Sequence, residues 1–265
     1  TETNQIYLTD SVWIQKFRER LERENKGDIW NGDMISISGI SDDNTLTYQP
    51  SDYFTVNSYR ESRINSIIEE SVLKKNTGMP DNISDINQDI PTGSGITYVL
   101  TVEDVDSSEL LCGTRSGDLD VNPNCLATVP SGSLEQRHFD SSFDTVIQNH
   151  FKEEFSEEVF NDEEVTEDDV FTKYGSDVSL NYLGFGIHPI AYRVEYIVQV
   201  TVSGELGDLV KYDNNSNNEF SSVWMESADT LNLLDLFFSQ RISPESKFGL
   251  GLFLQEVEGY SLIFT

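Results

Sequence analysis

Four glutamates occupy six consecutive positions within HFKEEFSEEVF (150–160): Glu153, Glu154, Glu157 and Glu158. On an α-helix Glu154, Glu157 and Glu158 fall at i, i+3 and i+4 and share one face. Phe143, Ile147, Phe151 and Phe155 recur every four residues, with Val146 beside them, and mark the opposite, buried face. Like charges at i,i+4 cost a helix roughly 0.2–0.5 kcal/mol per pair. A bound divalent cation removes that cost, because carboxylate oxygens are the preferred ligands of Mg²⁺, Mn²⁺ and Ca²⁺.

The competing reading is a solvated helix face, since acidic residues run through the whole chain. There are 47 Asp plus Glu against 17 Lys plus Arg in 265 residues, a formal charge of −30, and only 8 of the basic residues are lysine. The 15 Phe, 11 Tyr and 3 Trp still allow a core. That sets the chain apart from a disordered acidic tail, which has few aromatics and a block of one charge. Uniform acidity with few lysines suits molar salt. At about 1 M ionic strength the screening length is about 3 Å, which removes most self-repulsion. The composition is similar to that of cytoplasmic proteins from salt-accumulating haloarchaea. With no basic stripe to release counterions, direct binding to a nucleic-acid backbone is not expected.

Other chemistries find less support. Cys112 and Cys125 do not make a disulfide framework, and reduced thiols are expected. His138 and His150 have no Cys or His partner at zinc spacing, and no EF-hand pattern is present. There is no run of 18 apolar residues and no signal-peptide pattern, so a soluble, cytoplasmic protein without membrane contact is expected. The oligomeric state is left open.

The elements that would position the glutamates follow from periodicity. IYLTD (6–10) reads as a short strand. A helix follows from Ser11 with Val12, Ile14, Phe17 and Leu21 as its apolar stripe, and a second helical pattern covers 58–76 and stops at Gly78 and Pro80. Residues 79–94 are turn-rich and mark a boundary. From 95 onward β-branched and aromatic residues predict strands at 95–104, 107–118 and within 122–135. The glutamate helix comes next, then two strand patterns around His188-Pro189, a short strand at 221–226, and helices near 228–240 and 244–258. This order predicts an α+β fold, a sheet with helices packed on it. The domains expected are an α-rich N-terminal extension, 1–91, and a main domain, 92–265.

From about 93 to 258 this order resembles the Nudix hydrolase family. The family's signature helix reads R-E-apolar-x-E-E-x-G, and EEFSEEVF matches it at Glu154, Phe155, Glu157 and Glu158. Glu153 stands at the Arg position and Phe160 at the Gly position. LLCGTRS is similar to the strand that precedes the box. VPSGSLE (129–135) looks like the family's Gly-containing loop with an early glutamate, and QRHFDSS (136–142) reads as an insertion after it. NEFSSVWMESADTL (218–231) resembles the glutamate-to-tryptophan strand and following helix, and SPESKFGLGLFLQ the final helix.

The resemblance implies a mixed β-sheet sandwiched by helices. It also implies a Mg²⁺- or Mn²⁺-dependent hydrolase of a nucleoside diphosphate linked to another group, a nucleotide sugar, a dinucleotide or similar, with water attacking phosphorus. Glu154, Glu157 and Glu158 would be both catalytic residues and metal ligands. Arg115, Gly132 and Glu135 would contact the substrate, a nucleotide-type small molecule. Replacing the box arginine by Glu153 removes a countercharge, for which Arg137 or Lys152 would substitute. The runner-up implication is a catalytically weak Nudix-fold nucleotide-binding or sensor module.

Overall fold

The computed structural model describes residues 12–24, 31–40, 46–61, 92–117, 119, 122–139, 142–160, 177–188, 193–212 and 219–258. The strand read at 6–10 and the acidic and Asn-rich loops lie outside them, as do residues 62–76 of the second predicted helix. The chain forms two compact units. One comprises Thr1–Gly95, Ser133–Phe139 and Gly186–Glu195, the other Ile96–Gly132, Asp140–Phe185 and Tyr196–Thr265.

In the first unit, α1 (Val12–Arg23) buries Ile14, Phe17 and Leu21, the stripe its periodicity predicts. Phe17 meets the Phe54 ring edge-on at 5.7 Å, and Arg20 pairs with Glu61 at 2.7 Å. Strands β1 (Asp33–Ile40) and β2 (Leu46–Asp52) form an antiparallel hairpin with a bulge between Ile37 and Gly39. The sequence reading contained no strand here. Pro50 and the lack of strict alternation hide it: Met34, Ile35, Ser36 and Ile37 are all buried, so no period of two survives. As the outermost strand, β2 can hold a proline without losing an interior ladder bond. Residues 53–61 are helical (α2), so the helix begins earlier than the predicted 58. The Asp52 carboxylate anchors its start, accepting from Thr55 N at 2.8 Å and from Thr55 Oγ1 at 2.9 Å.

The second unit is built on a mixed sheet. It holds β4 (Ser108–Arg115), β5 (Leu126–Thr128) and β9 (Phe220–Ser227) whole, and most of β3 (Gly93–Glu103), β6 (Ser131–Ser133), β7 (Val178–His188) and β8 (Arg193–Val202), whose residues 93–95, 133, 186–188 and 193–195 fall in the first unit. Along one side, β4 pairs with β9 over nearly its whole length. Along the other it pairs first with β3 and then with β5, all antiparallel. β3 also pairs with β8, and β8 with β7. Every residue of β3 except its last is buried, so both of its faces are covered. On one face, Tyr98 meets Phe151 of α3 (Phe143–Phe155), with ring centroids 5.1 Å apart. On the other, Val99 joins Leu110, Cys112 and Ile197 under Leu233 and Phe237 of α5 (Thr230–Phe238) and Leu250, Phe253 and Leu254 of α6 (Pro244–Glu258). Gly249 lets α6 approach closely: a Cβ there would lie 3.3 Å from Val99. Helices therefore cover both faces of the sheet in this unit, as expected. An additional helix, α4 (Gly204–Tyr212), follows β8 where the sequence reading had only the end of a strand.

Candidate active site

The helix that carries the glutamates changes form inside the motif. α3 is capped by Ser142, whose hydroxyl accepts from Thr145 N, and it is α-helical only to Phe155. Residues Ser156–Phe160 form a π turn, in which the bonds run i→i+5. The wider turn breaks the expected single face. Glu154 keeps partial exposure, Glu157 points to solvent, and Glu158 is buried at 3% exposure. Glu153, at the family's arginine position, is half-buried. Phe151, Phe155 and Val159 are buried, and they anchor this end of the helix in the core.

Two of the three carboxylates converge on one loop. Tyr98 N donates to Pro130 O at 3.1 Å, which pins the loop to β3. Ser131 N–H donates to Glu158 Oε2 at 2.9 Å. A Cβ added to Gly132 would fall on the carboxylate of Glu154, so only glycine leaves that carboxylate its place. Burial pushes the Glu158 carboxyl well above the usual carboxylate range. The charges of Glu154 and Glu219 push it further, while the Ser131 N–H and the Arg115 guanidinium pull it part of the way back.

Arg115 is therefore the cation that acts on Glu158. It ends β4, mostly buried, with its guanidinium 5.7 Å above the Phe220 ring and 3.6 Å from Glu219. Gly113 makes space for that ring, since a Cβ there would lie 2.5 Å from Phe220. A countercharge at Glu158 thus comes from the end of the strand β4. Arg137 is exposed and pairs at 3.0 Å with Glu135, another expected substrate contact, and both belong to the first unit. In that unit Glu135 N donates to Nδ1 of the buried His138 at 3.0 Å.

Three residues at this site escaped the sequence reading. Glu219 immediately precedes β9, and its charge reaches Glu158 from 61 positions away in sequence. His150 is fully buried, with Nε2 3.3 Å from Oε1 of Glu154. Tyr98 places its hydroxyl 2.9 Å from His150 Nδ1. The spacing of His150 and Glu154, i and i+4, was the available signal; the Tyr98 contact is long-range and has none.

The fit to a divalent cation is partial. Glu154 and Glu158, an excess of buried negative charge and a loop open to close approach suit one. Among the described residues, no three His, Cys, Asp or Glu side chains gather as a ready-made metal cluster. Among the same residues, no helix is long and apolar enough to cross a membrane.

No family model matches the chain, and no curated protein matches it either. Solved structures that align with the chain include a MutT/Nudix family protein from Listeria innocua, at 12% identity over 63% of this chain and 94% of that one, with a TM-score of 0.43. A Nudix hydrolase from Alicyclobacillus acidocaldarius aligns at 11% identity over 60% and 90%, with a TM-score of 0.41. A C. elegans Ap4A hydrolase, solved as a binary complex, aligns at 11% identity over 63% and 99%, with a TM-score of 0.39.

Proposed function

We propose that the chain is a divalent-metal-dependent hydrolase of a nucleoside diphosphate linked to a second group, a Nudix-type pyrophosphohydrolase. The observation that carries this reading is the convergence of Glu154 and Glu158 on the Ser131–Gly132 loop, in the order strand, Gly loop, glutamate helix that the sequence motif implies. Residues 92–265 are assigned the chemistry, and 1–91 are taken as an extension.

In this reading Glu154 and Glu158 would hold Mg²⁺ or Mn²⁺, with Glu157 approaching from the solvent side. The cation, when bound, neutralises the diphosphate and lowers the pKa of water. The chain's own groups do the rest. Ser131 N–H fixes one oxygen of Glu158, so the other is presented in a set direction. Gly132 lets the loop backbone come close to the reacting group. Arg115, held between Glu219 and the Phe220 ring, faces the phosphate and offsets part of the local negative charge. Glu154 also orients the attacking water and takes its proton on a carboxylate oxygen.

One observation favours the second reading, a Nudix-fold module that binds nucleotide but hydrolyses little. Glu157 is exposed, and among the described residues no three His, Cys, Asp or Glu side chains are placed to hold a metal ion together. The deciding experiment incubates the full chain in 2 M KCl, with Mg²⁺ or Mn²⁺, against nucleotide sugars, dinucleotides and modified nucleoside diphosphates. Metal-dependent release of a nucleoside monophosphate supports the hydrolase. Saturable binding without release supports the binding module.

A further inference from the structure

Strands β4 and β9 fall out of step by one residue where β4 ends. Thr114 stands opposite Ser222 but Arg115 stands opposite Phe220, so Ser221 is an extra residue in β9. Its hydroxyl donates to Thr114 O at 3.1 Å and ties the bulge down. Side chains alternate along a strand, so in an unbroken ladder Ser221 would oppose Arg115 and Phe220 would point to the other face of the sheet. The bulge turns the fully buried Phe220 onto the Arg115 face. Gly113, two residues before Arg115 on that same face, leaves the ring its space.

The backbone of Arg115 is fastened at both ends, its N–H donating to Cys125 O at 2.9 Å and its carbonyl accepting from Asn124 N at 3.1 Å. The guanidinium is not fastened in this way. Nε is buried without a hydrogen-bond partner among the described residues. Glu219 Oε2 lies 3.6 Å from one terminal nitrogen, beyond hydrogen-bond length. The guanidinium instead sits 5.7 Å from the centroid of the Phe220 ring. Buried donors left unpaired cost free energy, and a guanidinium among carboxylates ordinarily forks onto one of them. A ring face attracts the cation without taking up its N–H groups.

We propose that Phe220 is a positioning residue: the bulge at Ser221 sets its ring against Arg115, and the ring holds the guanidinium off Glu158 and Glu219, with its N–H donors left for a phosphoryl oxygen. The inference rests on the reading of Arg115 as the group that faces the phosphate. Without the ring the guanidinium closes onto a carboxylate, and a phosphate must break that ion pair before it binds. A ring serving only as core filler would matter equally whatever side chain stood at 115.

The test is calorimetric titration of the full chain, in 2 M KCl with Mg²⁺, with α,β-methylene-ADP, a nucleoside diphosphate whose bridge resists hydrolysis. The variants are Arg115→Met, Phe220→Leu and the two combined. Arg115→Met is expected to weaken binding about 10–100-fold, as loss of hydrogen bonds to a charged group does, and Phe220→Leu about tenfold. In the Arg115→Met background Phe220→Leu is expected to add nothing, because no guanidinium is left to direct. An undiminished loss there, or wild-type affinity in Phe220→Leu alone, overturns the inference and leaves the hydrolase reading standing. Wild-type affinity in Arg115→Met overturns the phosphate role of Arg115, and the inference with it. Absence of Mg²⁺-dependent binding by the unmutated chain overturns the hydrolase reading and the inference together. Should Phe220→Leu fail to fold, the Arg115 Nε–H resonance of the unmutated protein decides. A downfield move on adding the nucleotide, with the Arg115 side-chain protons keeping their ring-current shift, supports the inference. An unmoved resonance, or loss of the ring-current shift, overturns it.

Discussion

Glu154 rests against Gly132 so closely that the glycine has no room for a methyl group. The obstructing atoms belong to the free end of a flexible side chain rather than to backbone, so an added methyl would evict the carboxylate before it distorted the loop. Gly132→Ala should therefore separate activity from stability. Overpacking costs about 1–3 kcal/mol, whereas displacing a reacting group by roughly 1 Å can cost about 10²-fold in rate. Thermal melts and kcat on one preparation check this; a variant that unfolds while the surviving fraction keeps wild-type kcat contradicts it.

Burial and the charges of Glu154 and Glu219 oppose ionisation of Glu158. Glu158→Gln keeps an acceptor for the Ser131 N–H and removes the ionisable group. In metal-free protein at neutral pH it should melt higher than the parent. Adding Mg²⁺ should raise the melting temperature of the parent and leave that of the variant unchanged, since only a state that binds the ion gains from it. A parent more stable than the variant without metal would mean that Arg115 already neutralises the site.

Which of these relationships were legible beforehand follows from their range along the chain. The strands β3, β4 and β9 and the final two helices carry local periodicity and lie where it places them, as do Val146, Ile147, Phe151 and Phe155 of the α3 stripe, whereas Phe143, read as buried, stands exposed at the first turn. The Gly132 loop and the glutamate helix were found as motifs. The π turn was not, because Ser156–Phe160 has no composition that separates i→i+5 from i→i+4 bonding; what distinguishes them is how Phe155 and Val159 seat in the core. The pairings of Arg115 with Glu219 and of Tyr98 with His150 join residues far apart in sequence, and only the strand order brings them together. The β1–β2 hairpin was hidden by burial on both faces, which erases the alternation that marks a strand.

Alkaline pH should unfold the protein through groups held neutral in the interior. Burial, then the Glu226 charge, pushes the Cys112 thiol from 9.0 to about 12, and burial, then the Glu154 charge, pushes the Tyr98 phenol well above 10.0. Between those values the folded state keeps protons that the unfolded chain has released. The stabilisation is complete below the unfolded values and is lost as pH rises toward 12. Melting temperature in 2 M KCl should fall steadily above pH 9, and Cys112→Ala should flatten the first part of that fall. An unchanged melt from pH 8 to 10.5 would show that neither group matters.

Salt should be a structural requirement. The 47 acidic residues have only 17 basic ones to offset them, which leaves a formal charge of −30. The screening length shrinks from about 10 Å at 0.1 M to about 3 Å at 1 M, so most repulsion between neighbouring surface carboxylates disappears over that range. Circular dichroism should show a melting temperature that rises with KCl from 0.1 M to 2 M. Equal cooperative melts at both concentrations would remove the halophilic reading.

The π turn makes a graded prediction about the four glutamates. On a regular helix Glu157 and Glu158 would be equivalent ligands, and either Gln substitution would abolish hydrolysis. Here Glu158 is buried against Ser131 and Glu157 faces solvent, so the two separate. Glu154→Gln and Glu158→Gln each remove a charged oxygen from the point where helix and loop converge, and should reduce kcat by about 10²-fold or more, as loss of a group that stabilises transition-state charge does. Glu157→Gln should cost less, because a solvent-side ligand is the one water replaces most readily. Glu153→Gln should cost least. Measuring kcat and Mn²⁺ affinity across the series tests the ordering. Equal losses at 153 and 158 would show that the motif is acidic surface, and equal losses at 157 and 158 would show that the turn closes to bring Glu157 inward when metal binds.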